Sequence, residues 1–401
     1  MCLFEGNQAF SFKLTGSEVS FFLIFLRGII GFLCLFSSSS ALMRKRMRKT
    51  IGFLVLFLFL YFSSSDPLFF YIFFELSILP AFFLIFSWGK TPERIGALSY
   101  IIVYTLIGSF PLLFSLLLRI EQIGKIQGIL NFSVVSKKRS LECSFFILAF
   151  LIKLPLFGLH SWLPKAHVEA PTVGSMILAA LLLKLGGFGL YRLALYKSFH
   201  PPQVTLILLG WIVSSIFLVS FLCFRIPDMK SVIAFSSVSH MLLVAFRWFW
   251  FSTKGLVYSL LLRVSHGFVR SGLFLLVGRL YEISGSRKVL LNTKFHHYVS
   301  LLNIFFFCLI CANCSAPPRL SLFAEIVLCS HLVLKIGVRH LSIFLFVLLS
   351  GLYCLFLYRK CFHGKARFKV SIPCEENSVS LRLFSHRVFT FFFIFFLFCL
   401  I

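Results

Sequence analysis

The sequence predicts an all-α polytopic membrane protein: a bundle of about 13–14 transmembrane helices, two of them broken. Three observations predict it. The chain is 59% hydrophobic and only 13% charged, where ordinary soluble domains are about 45–50% apolar and about 25% charged. Apolar runs of the length that crosses a bilayer, about 20 residues at roughly 1.5 Å each, recur along the whole chain. These runs are apolar on all sides and twice the length of a barrel strand, so they read as helices and not as strands of a membrane barrel.

In chain order the runs lie at 19–36, 51–63, 67–88, 96–119, 141–162, 172–196, 203–224, 229–251, 255–281, 296–314, 319–338, 341–358 and 385–401. Residues 1–401 thus form one transmembrane domain. It includes a basic polar loop at 359–384 and a last spanning helix at 385–401. The other long loops, 37–50 and 120–140, are also basic. Helix breakers interrupt two regions, near Pro155 within one run and at Pro317–Pro318 between two others. Irregular backbone at membrane depth persists only where protein or water satisfies it, and in transporters such breaks mark ion sites. Gly186, Gly187 and Gly189 lie inside an apolar run and follow no strand, so close helix packing is their expected use.

The charge balance excludes several functions. Lys and Arg outnumber Asp and Glu by 39 to 13, a net +26. Much of this sits in short loops, such as Arg44, Lys45, Arg46, Arg48 and Lys49. Such clusters contact anionic headgroups of the lipid bilayer. No basic surface with interleaved aromatics is seen outside the loops, so no nucleic-acid partner is expected. Cys308, Cys311 and Cys314 open an iron–sulfur signature, but its fourth position is Pro318. His167 and Glu169 lack zinc-protease spacing. No dinucleotide or phosphate loop appears, so neither metal nor cofactor is expected in this chain. Met1–Phe10 resembles no targeting segment, which suggests insertion in the compartment where the chain is made.

Four charges lie enclosed in apolar runs: Glu75, Lys153, Lys184 and Glu325. Each costs about 2.5–3.5 kcal/mol at a helix centre. The fourteen Leu, Ile and Phe of run 67–88 return roughly 4–8 kcal/mol, so insertion tolerates Glu75. Lys184 lies near the middle of its run, too deep to reach the headgroups. Burial disfavours the charged form of both residue types, and a Glu–Lys pair opposes that. A pair that opens and closes is therefore a protonation switch. His240 and His266 lie in successive runs and need little help to titrate near neutrality. The alternative readings are buried salt bridges for the charges and hydrogen-bonded core for the histidines.

Leu159 to Pro171 reads Leu-His-Ser-Trp-Leu-Pro-Lys-Ala-His-Val-Glu-Ala-Pro, and Leu181 to Gly189 reads Leu-Leu-Leu-Lys-Leu-Gly-Gly-Phe-Gly. With Phe70–Ser77, Trp88–Arg94, Asp228–Met241 and the segment from Pro317 to Glu325, these closely resemble the antiporter-like membrane-arm subunits of respiratory complex I, the NADH:ubiquinone oxidoreductase. The His-Val-Glu-Ala-Pro continuation and Glu325 favour its subunit-4 branch. The resemblance covers about residues 60–340.

It implies a proton-translocating subunit of the mitochondrial inner membrane, packed against homologous antiporter-like subunits. NADH, FMN, iron–sulfur clusters and ubiquinone would sit elsewhere in the complex. Glu75 and Lys153 would form a regulated ion pair, with Lys184 the central proton carrier. His240 and His266 would carry the path onward, and Glu325 would be the exit-side residue. A cation/proton antiporter without redox coupling shares these features. The chain departs from the family at Arg263 and Arg270, which bracket His266, and at Arg247. Arg270 either acts on the histidine or pairs with an acid of a neighbouring helix. The N-terminal part is also shorter than is usual for the family.

Overall fold

Near Pro80, Pro155 and Pro171 the helices are interrupted, whereas the helix over 94–124 runs on through Pro111, and those interruptions organise the bundle. The computed structural model describes residues 18–36, 41–89, 91–124, 140–194, 202–248, 253–293, 300–316, 321–328 and 340–363. Within them every named element is a helix, and one isolated bridge pairs Asp228 with Lys288.

Two helices, α1 (Glu18–Phe36) and α2 (Ala41–Ser63), precede the first interruption. The basic stretch 44–49, expected as loop, is the first turns of α2 instead. Arg, Lys and Met are good helix formers, so the charge run continues the helix. Next come α3 (Pro67–Leu76) and α4 (Ile78–Trp88). Pro67 starts α3 where its missing N–H costs nothing. The two form one span with a joint at Ser77, because Pro80 cannot donate to the Leu76 carbonyl. The Ser77 hydroxyl donates to the Phe74 carbonyl at 2.8 Å and steadies the joint. Helix α5 (Arg94–Gly124) follows.

The expected span 141–162 is interrupted. Helix α6 (Ser140–Lys153) stops two residues before Pro155, whose ring disfavours helical backbone in the residue before it. The chain turns through Gly158, at φ +96°, a region glycine enters without strain. It resumes as α7 (Trp162–Glu169). The Trp162 indole donates to the Ile152 carbonyl at 3.1 Å, satisfying a group that the break leaves open. After Pro171 come α8 (Thr172–Ile177), a π-helical stretch (Leu178–Leu182) and α9 (Leu183–Ala194).

The second half holds α10 (Pro202–Arg225), α11 (Met229–Trp248), α12 (Thr253–Ser284) and α13 (Ser300–Asn313). A short helix, α14 (321–328), and α15 (His340–His363) complete the described residues. Pro317–Pro318 lies outside them, but α13 ends at Asn313, Ser315 takes φ +56°, and helix resumes at 321. Helix α15 runs to His363, into the stretch expected as loop. The rest of that loop and the expected span 385–401 lie outside the described residues.

Seven helical stretches among the described residues are long and apolar enough to cross a membrane. Those of α8–α9, α11 and α12 are buried almost throughout and form the centre. The stretches α3–α4, α5, α10 and α15 are outer helices. They turn side chains such as Phe83, Phe110, Ile207 and Phe221 outward, as a lipid-facing surface requires.

The glycines of α9 permit the centre. A Cβ at Gly186 would lie 2.7 Å from the Phe150 carbonyl oxygen and 2.9 Å from the Leu154 nitrogen. One at Gly189 would lie 2.3 Å from the Phe150 ring. Backbone therefore meets backbone where α9 crosses the end of α6. Gly186→Ala should destabilise the protein by about 1–3 kcal/mol through overpacking, read as a lower thermal midpoint in detergent. Gly210→Ala, where nothing lies within 4 Å of the added carbon, should not lower it. Equal midpoints for the two variants would contradict the close crossing.

Candidate functional site

All six ionisable residues singled out in the sequence are described, and five of them are buried almost completely: Lys153, Lys184, His240, His266 and Glu325. The structure sorts the six into a separated pair and a row.

Glu75 is the penultimate residue of α3, beside the Ser77 joint, and Lys153 is the last residue of α6. A cation at a helix C-terminus is favoured by the helix dipole. The Lys153 ammonium lies over the Phe74 ring, Nζ 4.5 Å from its centroid. It attracts the Glu75 carboxylate electrostatically, and the Ser109 hydroxyl also faces that carboxylate. Glu75 Oε1 is nevertheless buried without a hydrogen-bond partner. Among the described residues no ion pair closes between Glu75 and Lys153. The pair is open, with the ring of Phe74 holding the cation.

Lys184 begins the row. It follows the π-helical stretch by two residues. There the Leu183 N–H reaches back five residues to the Leu178 carbonyl, the wider turn that marks many functional helices. Lys184 Nζ donates to the Ala179 carbonyl at 2.8 Å and lies 3.0 Å from His266 Nδ1. At that distance one proton lies between two basic nitrogens. Either the ammonium donates to a neutral imidazole or the imidazolium donates to a neutral amine.

The His240 and His266 rings, on α11 and α12, are 6.1 Å apart between centroids. Each leaves its Nε2 buried and unpartnered. His240 Nδ1 is 3.0 Å from Glu325 Oε1 on α14. The contact lies within ion-pair range but is misaligned for a hydrogen bond, since Oε1 accepts none. The row Lys184–His266–His240–Glu325 thus runs across four helical segments, with Arg270 alongside.

Aromatic side chains fill the space between pair and row. Tyr61 stacks on Phe70 at 4.4 Å and meets Phe188 edge-on at 5.7 Å. Its hydroxyl donates to the Leu185 carbonyl at 2.8 Å. Phe150 packs edge-on to both Phe70 and Phe74. Arg192 joins Tyr61 as a polar side chain in this packing, its guanidinium carbon 4.9 Å from the Phe70 centroid and 5.0 Å from that of Phe188.

Three groups were not among the sequence candidates. His167 is completely buried on α7, stacked 4.6 Å from Phe274, and neither ring nitrogen has a partner. Its only signal in the sequence is its place in the His-x-Trp-Leu-Pro-x-Ala-His element. Lys230 donates to the Ala170 carbonyl at 3.0 Å and Arg287 to the Val168 carbonyl at 2.8 Å. Both therefore hold the α7–α8 joint that carries His167. Arg263 fills the space beside Gly187 and donates to the Ser259 carbonyl at 3.2 Å. Arg270 bonds to α11, through the Ile233 carbonyl at 2.9 Å and the Ser236 hydroxyl, and not directly to an acid. The Arg247 side chain lies outside the described residues. Cys308 and Cys311 sit on α13 with Cys314 just beyond its end, and no metal-binding group of His, Cys, Asp or Glu occurs among the described residues.

Because the Trp162 indole satisfies the carbonyl beside Lys153, Trp162→Phe should cost about 1–3 kcal/mol through one unpaired buried acceptor. A lowered thermal midpoint in detergent is the expected result, and an unchanged one would remove this role.

Comparison with known proteins agrees with this fold. The family described as NADH:quinone oxidoreductase/Mrp antiporter, transmembrane, matches residues 64–353. NADH-ubiquinone oxidoreductase chain 4 of Locusta migratoria is 40% identical over 315 residues, covering 77% of this chain and 69% of that one. A chain of the respiratory complex I of Thermus thermophilus with bound NADH superposes with a TM-score of 0.81. It is 25% identical, over 92% of this chain and 80% of that one. The Mrp complex of a Dietzia species, 16% identical with a TM-score of 0.76, covers 89% of this chain and 68% of its own and shares the fold. A match over most of the chain, across the segments that carry the pair and the row, places this protein in the NADH:quinone oxidoreductase/Mrp antiporter transmembrane family.

Proposed function

We propose that this chain is a proton-translocating membrane-arm subunit of respiratory NADH:ubiquinone oxidoreductase, working in the mitochondrial inner membrane beside homologous antiporter-like subunits. The observation that carries the reading is the buried row Lys184–His266–His240–Glu325. Family membership supports it, as does the 40% identity to a protein named NADH-ubiquinone oxidoreductase chain 4. In this reading electrons pass from NADH to ubiquinone elsewhere in the assembly, and no metal-binding group of His, Cys, Asp or Glu occurs among the described residues.

A proton arriving at Lys184 is shared with His266 across 3.0 Å. The gap between the histidine rings suits a bridging water, since a separation beyond direct hydrogen bonding with free ring nitrogens on both sides asks for one. His240 then hands the proton to Glu325. The open pair supplies control. When Glu75 and Lys153 close, the field of the lysine on Lys184 is neutralised. When they part, Lys153 repels a proton held there. Two unit charges about 10 Å apart at an effective dielectric of about 20 interact by roughly 1.7 kcal/mol, a little over one pKa unit, so the coupling asks for a separation of that order. Such a shift suffices to move a proton between two nitrogens already sharing it. The aromatic packing between pair and row keeps this coupling electrostatic, without proton passage through it.

Lys184→Met and Glu75→Gln, each in an assembled complex, should lower coupled NADH oxidation on the order of tenfold or more, as loss of a relay group demands. Proton pumping by sealed vesicles and assembly by native separation with NADH-activity staining are the measurements. Assembled variants that pump normally would sink the relay. Migration of the chain in a smaller assembly without NADH activity would instead support a cation/proton antiporter without redox coupling.

A further inference from the structure

One charge stands apart from both the pair and the row. Arg27 is the middle residue of α1, nine residues from Glu18 and nine from Phe36, or about 13 Å from either end. Its Nη1 donates to the Val55 carbonyl of α2 at 2.9 Å, and its guanidinium carbon lies 4.7 Å from the centroid of the Phe59 ring. Its Nε is buried without a partner. Among the described residues no carboxylate pairs with it. A guanidinium keeps its charge at any accessible pH, so losing a proton cannot relieve it.

The guanidinium does not climb to the headgroups. Helix α2 carries exposed Lys45, Arg46, Arg48 and Lys49 in its first turns, the level at which cations meet anionic lipid. Val55 lies six residues beyond Lys49, about 9 Å deeper, and Phe59 about 15 Å deeper. The two groups that hold Arg27 are therefore well below the phosphates. The inner side of its turn is already packed, since a Cβ at Gly267 of α12 would lie 3.2 Å from the Leu26 side chain. The outer side is open. Phe21, Phe25, Gly28, Phe32 and Leu35 form one exposed stripe, spaced four and three residues apart as in a seam between two helices. Among the described residues nothing lies within 4 Å of a Cβ added at Gly28, beside Arg27, so a second helix can come close there.

We propose that this face of α1 docks a transmembrane helix of a neighbouring subunit, and that the helix carries an Asp or Glu whose carboxylate pairs with Arg27. This rests on the place beside other membrane subunits proposed above and names the chemistry of one contact there. Lipid tails accept the phenylalanines of the stripe but offer nothing to a fixed cation. Charges inside a membrane persist where protein or water compensates them, most often as pairs. The Val55 carbonyl is a neutral acceptor and leaves the charge of Arg27 uncancelled. A carboxylate supplies the opposite charge and two acceptor oxygens, which match the fork of a guanidinium. Gly28 leaves the approach to it clear.

A map of the purified assembly that contains this chain is the first test. An Asp or Glu oxygen of another subunit within about 4 Å of an Arg27 nitrogen is the expected result. A lipid phosphate there, a carboxylate of this chain, or no anion at all overturns the inference. Arg27→Leu, followed by native separation, gives an independent reading. Against lipid, leucine is the better residue, and the amount of assembled complex would hold or rise, which overturns the inference. Against a buried carboxylate, leucine should lower that amount at least about tenfold, since it strands the partner's charge. Arg27→Lys should restore most of it. Leucine also eases membrane insertion, so failed insertion would not explain the loss. NADH-activity staining of the same separation reads the proposed function by itself. An inactive assembly whose map shows the carboxylate at Arg27 supports this contact and removes the respiratory role.

Discussion

A charge in a lipid-embedded bundle needs compensation from the protein around it, and this bundle places Glu75, Lys153 and Lys184 at backbone joints. Glu75 is two residues from the Ser77 joint, Lys153 ends α6, and Lys184 follows the π-helical stretch. A straight helix spends its carbonyls on its own N–H groups. Joints leave some free, and the Ala179 carbonyl that receives Lys184 Nζ is the clearest case. The same joints are where small conformational changes cost least, because fewer intrahelical bonds must break. Protonation and local geometry are therefore coupled at each of these positions.

Packing explains how such joints persist. Gly186 and Gly189 let α9 press on the end of α6, so the interrupted backbone is covered by protein and not by lipid. Trp162 caps the break at Ile152, and Lys230 with Arg287 caps the break after α7. Around them Tyr61, Phe70, Phe74, Phe150 and Phe188 build a stiff aromatic layer. Aromatic contacts of this kind add about 0.5–1.5 kcal/mol each beyond their buried area. The layer also lowers the local dielectric, which strengthens every remaining charge interaction.

Much of this was legible in the sequence because hydropathy is a one-dimensional signal. Glu75, Lys153, Lys184 and Glu325 stand out as costly interruptions of apolar runs, and the fold brings the last two into one row through His266 and His240. Pro155 announced its break, and the glycine triplet announced a close crossing. The π-helical stretch was not legible, since Leu-Ala-Ala-Leu-Leu favours an ordinary helix and only tertiary packing widens it. The stop at Lys153 was masked by the apolar residues that continue past it. His167 was hidden for a related reason. Its importance lies in burial without a partner, a property of three-dimensional surroundings that no spacing rule reports.

The bridge between Asp228 and Lys288 gives the second half a mechanical property. Met229 N–H bonds the Arg287 carbonyl at 3.0 Å, and Val289 N–H bonds the Pro227 carbonyl at 2.7 Å. The head of α11 is thereby riveted to the tail of α12, the two helices that carry His240 and His266. Arg270, bonded to the Ile233 carbonyl and the Ser236 hydroxyl, ties the same two helices again one turn before His240. His240 lies about three turns along α11 from the riveted end, so the ring-to-ring gap is held from one side by two cross-links in series.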